Sequence, residues 1–304
     1  MLRVTLPGTG GMMPTKERWL STCIISCEGH SVLIDCGEGT QVAVKFAGCR
    51  IKPVDLICIT HFHADHISGL PGFLLSLGNE GRVEPLTIAG PKGIKRIVKS
   101  LCVIAPALPF EIRFRELTEP EPFEEAGFTV TPFKVRHRVE CLGYSFYLPR
   151  IGKFNVEKAR ALSIPQNLWN PLQKTGQVMY NDKLYTYDMV SDGDREGIKV
   201  TYCTDTRPVN SIIENAKNSD LFICEGLYYS PDKLERAKLT GHMLYEEAAE
   251  LAVKASVKRL WLTHFSPSLV KPAEYMDEVH KICEITEPGK DLKSITLNFE
   301  EEET

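Results

Sequence analysis

The stretch Thr60-His61-Phe62-His63-Ala64-Asp65-His66 places four potential metal ligands on one short loop. It follows the apolar run Val54–Ile59, which predicts a buried strand, and it precedes Gly69–Gly72, which opens a helix. Functional residues of α/β folds commonly lie at the carboxyl ends of strands. Because side chains alternate along an extended chain, we expect His61 and His63 to point to the same side. Three imidazoles and one carboxylate favour zinc, or a similar divalent ion, over calcium and magnesium.

The bulk composition is that of a soluble globular protein. The chain has 304 residues, a hydrophobic fraction of 43% and a charged fraction of 25%, which suit one large α/β unit with a sizeable core. The net charge of -4 argues against a globally basic nucleic-acid binder but leaves a locally basic surface open. Residues Met1–Leu6 predict a first strand rather than a signal peptide, and no apolar run is long enough for a membrane helix. The 10 cysteines include no CxxC pair, so we expect reduced thiols in a cytoplasmic protein.

Apolar runs bounded by turn residues recur along the chain, from Leu2–Leu6 to Arg259–Thr263, which we take as the last core strand. Residues 151–196 differ, because Ile164–Leu172 contains two prolines around Trp169, whose side chain we expect to be exposed. We predict an insertion that projects from the core rather than a second domain. The alternative is a surface excursion without function.

Further candidate side chains follow predicted strands elsewhere in the chain. His137 follows Phe128–Val135, and Asp205 follows Ile198–Thr204. Glu225, His242 and His264 also lie at the ends of predicted elements. This repeated placement distinguishes a site from scattered polar residues.

These residues suffice for a site with two metal ions. Asp205 is the best candidate bridge, since a carboxylate has two oxygens. Two ions about 3.5–4 Å apart would hold a hydroxide and support hydrolysis of a phosphorus ester near neutral pH. The spacing allows His61, His63 and His137 around one ion, and Asp65, His66 and His264 around the other.

Two other features admit a functional and a structural interpretation. Gly8–Gly11 follows a strand and could bring backbone N–H groups to a phosphate, but it lacks a nucleotide-binding pattern and is equally typical of a turn. Lys16 and Arg18 on the same loop could meet a phosphate chain or only water. Asp35 could orient a ligand histidine as a hydrogen-bond acceptor, or it could cap the helix that starts near Thr40.

Taken together, these elements resemble the metallo-β-lactamase superfamily and, within it, the ribonuclease Z family. The His-x-His-x-Asp-His element at His61–His66 marks the superfamily. The Pro14–Arg18 loop, the Asp35–Thr40 run and the insertion at 151–196 indicate the narrower family. The resemblance also includes Gly8–Gly10, Gly69–Gly72, His137 with Gly143 and Tyr144, Asp205–Arg207 and Thr263–Pro267.

The resemblance implies an αββα sandwich over residues 1–304 with the metals at one edge of two sheets. It implies a zinc-dependent endoribonuclease that removes the 3′ trailer of precursor tRNA, with two ions per subunit and manganese as an alternative. Asp65 would be a ligand and would accept a proton from the attacking water, while Glu225 and His242 would protonate the leaving oxygen. Lys16 and Arg18 would lie near the tRNA. The arm at 151–196 would grip the tRNA elbow from the other subunit of a homodimer.

Other functions compete with this one. A related hydrolase could act on a small phosphodiester or a cyclic nucleotide, which needs the metals but no arm. This arm lacks the family's Gly-Pro motif, and acidic residues offset its lysines and arginines. A non-catalytic RNA-binding relative is disfavoured by the complete ligand set, and a β-lactamase or thioesterase by the Glu225–His242 pair.

Overall fold

In the computed structural model, which describes residues 1–105, 107–118, 121–193 and 195–300, the apolar runs form two seven-stranded sheets. Packing divides the chain into two units. One comprises Met1–Tyr147 and Lys199–Asn298, and the other comprises Leu148–Ile198 and the segment that starts at Phe299. The predicted insertion at 151–196 lies within the second unit, and its description as an arm on a single domain stays a prediction.

The strands are β1 (Leu2–Gly8), β2 (Thr22–Cys27), β3 (His30–Ile34), β4 (Val54–Cys58), β5 (Leu86–Gly90), β6 (Ile112–Glu116), β7 (Phe123–Glu125), β8 (Phe128–Arg136), β9 (Glu140–Arg150), β10 (Gln177–Tyr180), β11 (Lys183–Thr186), β12 (Arg195–Cys203), β13 (Leu221–Glu225), β14 (Leu260–Thr263), β15 (Thr286–Pro288) and β16 (Lys293–Leu297). The helices are α1 (Thr40–Phe46), α2 (Ala64–Ile67), α3 (Leu70–Asn79), α4 (Ile94–Leu101), α5 (Val156–Ala161), α6 (Trp169–Thr175), α7 (Asn210–Ala216), α8 (Leu234–Thr240), α9 (Tyr245–Lys254) and α10 (Met276–Ile282).

The first sheet has the order β16-β1-β2-β3-β4-β5-β6. Strands β16, β1, β2 and β3 pair antiparallel, whereas β3 to β6 pair parallel. The second sheet has the order β15-β14-β13-β12-β9-β8-β7, with β12 to β15 parallel and β7 to β9 antiparallel. The expectation that Arg259–Thr263 is the last core strand is therefore wrong, because β15 and β16 follow it and each adds an edge.

Each sheet buries both of its faces. In β4, Ile57 packs in one core with Leu74 of α3, while Leu56, on the other face, is also fully buried. In β14, Leu262 packs with Leu251 of α9, while Trp261 is buried on the other face. A sheet buried on both faces needs a layer on each side, which the two sheets and their outer helices provide. The predicted αββα sandwich is confirmed.

The second unit has a small apolar core of its own. Helices α5 and α6 and the β10–β11 hairpin enclose Ala159 and Leu172, which are fully buried. The expectation that Trp169 is exposed is wrong. Its ring is half-buried against Phe154, with 5.6 Å between the ring centroids, and its Nε1 donates a hydrogen bond to the Ile164 carbonyl at 2.9 Å.

Among the helices that the described residues form, none combines the length and the apolar character that a bilayer crossing needs.

Candidate metal centre

Parallel strands bring three candidate residues to one edge of the second sheet. Strands β12, β13 and β14 are neighbours and end at Cys203, Glu225 and Thr263. Asp205 lies two residues after the end of β12 and His264 follows β14 directly, both in left-handed backbone conformations, with φ of 48° and 59°. Asp and His are among the residue types that tolerate this region. The sharp turn after each strand directs both side chains into the same buried site.

The loop after β4 supplies the clustered ligands. His63 is the N-cap residue of α2, and the backbone N–H of His66 donates to the His63 carbonyl at 3.0 Å. The short helix α2 therefore turns Asp65 and His66 away from the direction of His61 and His63. His61 and His66 are fully buried.

The first donor set contains three imidazoles and one carboxylate oxygen, as the sequence predicted. Nε2 of His61 lies 2.9 Å from Nδ1 of His63, and Nε2 of His137 lies 3.4 Å from the same atom. Oδ2 of Asp205 lies 3.6 Å from His61 Nε2 and 3.8 Å from His137 Nε2. Ligands on a tetrahedral zinc with bonds of 2.0–2.1 Å are about 3.3 Å apart. These four side chains fit one such ion.

The second donor set lies on the other oxygen of the same carboxylate. Oδ1 of Asp205 is 3.3 Å from His66 Nε2 and 3.1 Å from His264 Nε2. Asp65 Oδ2 lies 3.5 Å from each of these nitrogens. The structure thus brings the seven candidate ligands together in the predicted groups, with Asp205 between them. That they bind metal stays a prediction.

Asp35 orients the donors from behind. Its carboxylate is fully buried and accepts hydrogen bonds from the Thr60 backbone N–H, the Thr60 hydroxyl and His66 Nδ1, each at 2.8 Å. A histidine with its Nδ1 proton so fixed directs Nε2 toward the site, where it can coordinate an ion once Nε2 is deprotonated. The alternative helix-capping role is wrong, because Gly39 occupies the N-cap of α1 and no side chain caps it.

Three candidate ligands have a lowered pKa, so their imidazoles tend to be neutral, which suits the binding of a cation. Burial lowers the pKa of His61 to about 2, with His66 acting in the same direction. Burial also lowers the pKa of His63 and of His137. His66 behaves differently, because the carboxylates of Asp205 and Asp35 outweigh burial and raise its pKa well above the ordinary value. Neutral imidazoles are the form that coordinates metal.

Glu225 and His242 form a buried pair at the side of this cluster. Both oxygens of Glu225 lie 3.2 Å from His242 Nδ1, and Glu225 also accepts from the Thr206 backbone N–H. Burial alone lowers the pKa of His242, but the charge of the Glu225 carboxylate and its hydrogen bond raise it to about 9. The free Nε2 of His242 lies 3.9 Å from Asp205 Oδ2. The predicted pair therefore forms and presents a protonated imidazole to the site.

The glycine-rich loop after β1 contacts the centre with its backbone. The N–H of Met12 donates to Asp65 Oδ2 at 2.8 Å. A side chain at Gly11 would place a Cβ 2.7 Å from the His264 ring, so only glycine fits there. Lys16 is exposed, and its contact with a substrate stays a prediction. Arg18 is half-buried, and its guanidinium donates to the carbonyls of Ser266, Leu269 and Val270, so it fastens this loop to segment 266–270.

A cavity of about 300 Å³ opens onto the cluster, and sequence reasoning missed part of its wall. Six of its lining residues carried no motif that would have singled them out. The missed residues are Met12, Arg138, Leu227, Tyr228, Arg236 and Thr240. Arg138 had one available signal, its position directly after His137.

Known proteins share this fold and sequence. The model of the metallo-beta-lactamase superfamily matches residues 21–139, and that of a beta-lactamase superfamily domain matches residues 185–265. Ribonuclease Z of Agathobacter rectalis is 54% identical over 99% of this chain and 100% of its own length. Ribonuclease Z of Clostridium acetobutylicum is 46% identical over 99% of both chains. The crystal structure of the short form of human tRNase Z aligns with a TM-score of 0.70 and 23% identity, covering 98% of this chain and 100% of that one.

Two sheets between helices, with a histidine and aspartate cluster at one edge, define a metal-dependent hydrolase of the metallo-β-lactamase superfamily. Within that class, the relatives that match over the full chain decide the assignment. The chain belongs to the ribonuclease Z family and is an endoribonuclease.

Proposed function

We propose that this enzyme hydrolyses one phosphodiester bond of precursor tRNA and so removes the 3′ trailer. The observation that carries the proposal is the placement of Asp205, whose two oxygens face two separate donor sets. We propose two zinc ions per subunit, held by the seven predicted ligands, with manganese as the alternative. When bound, the ions would neutralise charge on the phosphoryl oxygens and make water more acidic.

The side chains around these ions have distinct proposed roles. Asp65 lies at the cavity and accepts the proton of the attacking water, while the Met12 N–H and the imidazoles beside it hold its carboxylate in place. His242 donates a proton from Nε2 to the leaving oxygen. Glu225 keeps His242 protonated near neutral pH, which a general acid requires.

The second unit and the loop after β1 would recognise the rest of the substrate. We propose that the segment 151–196 binds the tRNA elbow from the other subunit of a homodimer, and that Lys16 and Arg18 lie near the tRNA backbone or acceptor end. We also propose a cytoplasmic location. All ten cysteines are free thiols, which is typical of a reducing compartment.

A second candidate is a hydrolase of small phosphodiesters or cyclic nucleotides. Two observations favour it. The cavity holds only about 300 Å³, and in the second unit Arg160 and Lys158 are paired with Glu157 at 2.8 Å and with Asp192 at 3.6 Å. Paired cations contribute less to binding of a phosphate backbone.

One experiment separates the two candidates. The purified protein is incubated with a precursor tRNA and with a small aryl phosphodiester, each with and without a chelator. We expect chelator-sensitive cleavage of both substrates, and cleavage without metal would refute the mechanism. Deletion of residues 155–190 should abolish tRNA cleavage and spare the aryl ester. Retained tRNA cleavage in the deletion variant would refute the role of the arm.

A further inference from the structure

The wall of the metal-centre cavity carries cations that the proposed chemistry does not use. Arg236 of α8 and Arg138, which follows His137, both line the cavity and are both exposed. They share this wall with Tyr228 and Thr240. In an enzyme of net charge -4, two arginines beside a metal cluster need a physical explanation.

Hydroxyl groups hold Arg236 in place. Its Nε donates to the Tyr228 hydroxyl at 3.3 Å, and that hydroxyl lies 3.3 Å from Thr240 Oγ1. The Thr240 hydroxyl donates to the Arg236 carbonyl at 2.8 Å, which closes the network within one turn of α8. A guanidinium held through Nε keeps its two terminal NH₂ groups available for a ligand.

Arg138 is positioned by the end of the same helix. Gly241 follows α8 with φ of 80°, and a Cβ built on it would lie 3.4 Å from Cγ of Arg138. The Gly241 carbonyl accepts a hydrogen bond from His137 Nδ1 at 3.0 Å. The side chain of Arg138 therefore lies beside the residue that also orients a candidate metal ligand, and Arg138 lines the cavity.

Neither guanidinium is neutralised by a neighbour. Within 1–105, 107–118, 121–193 and 195–300, no carboxylate forms an ion pair with Arg138 or Arg236, although Arg207 nearby is paired with Glu247. The neighbouring cation of α8, Lys238, is paired with Glu235 at 2.7 Å and does not line the cavity. An unpaired guanidinium with free terminal groups matches the geometry of a phosphate.

We propose that Arg138 and Arg236 form an anion subsite that binds the phosphate adjoining the scissile one. This inference rests on the proposed phosphodiester hydrolysis at the metal centre. A nucleic-acid strand places a second phosphate next to the one at the metals, whereas a simple aryl ester does not. The subsite would thus favour a polynucleotide chain over an isolated phosphodiester. This preference would arise from residues of the cavity and would not require the second unit.

The test uses small nucleotides, so that it does not depend on tRNA. Calorimetry measures the binding of adenosine 3′,5′-bisphosphate, adenosine 5′-monophosphate and adenosine 3′-monophosphate to the metal-loaded protein. We expect the bisphosphate to bind about tenfold more tightly than either monophosphate, because the second phosphate gains charge-assisted hydrogen bonds. Arg236→Gln and Arg138→Gln should each remove most of this advantage. Lys238→Gln, on the same helix, is the matched control and should keep it.

A kinetic measurement gives the same comparison during turnover. The substrates are the p-nitrophenyl ester of thymidine 5′-monophosphate, with and without a 3′-phosphate. We expect the 3′-phosphate to lower KM about tenfold in the wild type, and this ratio of KM values to fall toward one in Arg236→Gln. Arg236→Lys should retain part of the KM advantage, because the positive charge remains although the planar guanidinium with its paired donors is lost.

The results can refute the anion subsite and the proposed function separately. Equal binding of bisphosphate and monophosphates by the wild type, or an advantage that persists in both glutamine variants, overturns the subsite. Failure of the wild type to cleave precursor tRNA and both esters overturns the proposed function instead. The calorimetric comparison still decides the subsite in that case.

Discussion

Replacing Asp35 by Asn tests how the protein holds its metal ligands. Asp35 accepts from Thr60 and from His66 Nδ1, all at 2.8 Å in a fully buried position. Asn has nearly the same shape and tolerates the left-handed backbone of this position, where φ is 58°. One of its two ends must nevertheless be an NH₂ group. If this group faces His66 Nδ1, the histidine proton moves to Nε2 and occupies the lone pair that a metal needs.

The expected magnitude follows from the contacts. Loss of such an orienting acceptor commonly weakens metal affinity 10–100-fold, or about 1.4–2.7 kcal/mol. The opposite orientation of the amide sets two donors, the Asn NH₂ and the Thr60 N–H, against each other in a buried site, at a cost of about 1–3 kcal/mol. Either arrangement penalises the variant, and a 10–100-fold increase in the Kd of one ion is the expected result.

The assay is competition between the protein and a chromophoric zinc chelator, with metal content after dialysis as a second readout. Asp55→Asn is the control, because Asp55 also contacts a histidine, His30 Nδ1 at 2.6 Å, near the start of β4 and away from the cluster. It should leave both Kd values unchanged even if folding stability falls, since Arg82 also binds Asp55. Wild-type affinity for both ions in Asp35→Asn would refute the reasoning.

Three further changes test the proposed roles. His63→Ala should abolish hydrolysis of precursor tRNA and of an aryl phosphodiester, measured as initial rates beside His30→Ala, whose histidine lies outside the cluster and should not matter. His242→Ala should keep two metal ions per subunit by elemental analysis, with a larger rate loss for an alcohol leaving group than for p-nitrophenolate; loss of one ion would make His242 a ligand. Glu225→Gln should lower the His242 pKa from about 9. Since the acid acts only when protonated, the alkaline limb of the kcat–pH profile should move to lower pH, and an unmoved limb contradicts the assignment.

The ligand cluster was predictable because its members follow a rule that depends on sequence alone. Residues that follow parallel strands meet at one sheet edge, so Asp205 and His264 could be grouped with the His61–His66 loop before any strand order was known. His137, which follows the antiparallel strand β8, was grouped with them because it also lies at the end of a predicted strand. The division into two donor sets also agreed with the structure, since α2 turns the second half of the loop away from the first.

The cavity wall was not predictable for the opposite reason. Arg236 lies on α8, a seven-residue helix in which Ala237 is the buried residue, and Tyr228 precedes that helix and contacts Arg236 through its hydroxyl. So short a helix has no apolar period to detect, and it is stabilised by its packing rather than by propensity. The prediction that Trp169 is exposed was wrong for a related reason. Neighbouring prolines indicated an open loop, but the local core of the second unit encloses part of the ring.

The backbone at the sheet edge explains why this site can be rigid without a ligand. Asp35, Asp205 and His264 all adopt positive φ values within two residues of the end of a buried strand. Such conformations cost about 1–3 kcal/mol each and persist only where the surrounding structure fixes them. Here the flanking strands are buried on both faces, so their ends cannot relax. Sheet packing therefore offsets the free-energy cost of the strained turns. As a result, the ligand side chains are oriented before any ion binds, which is the condition for tight and specific coordination.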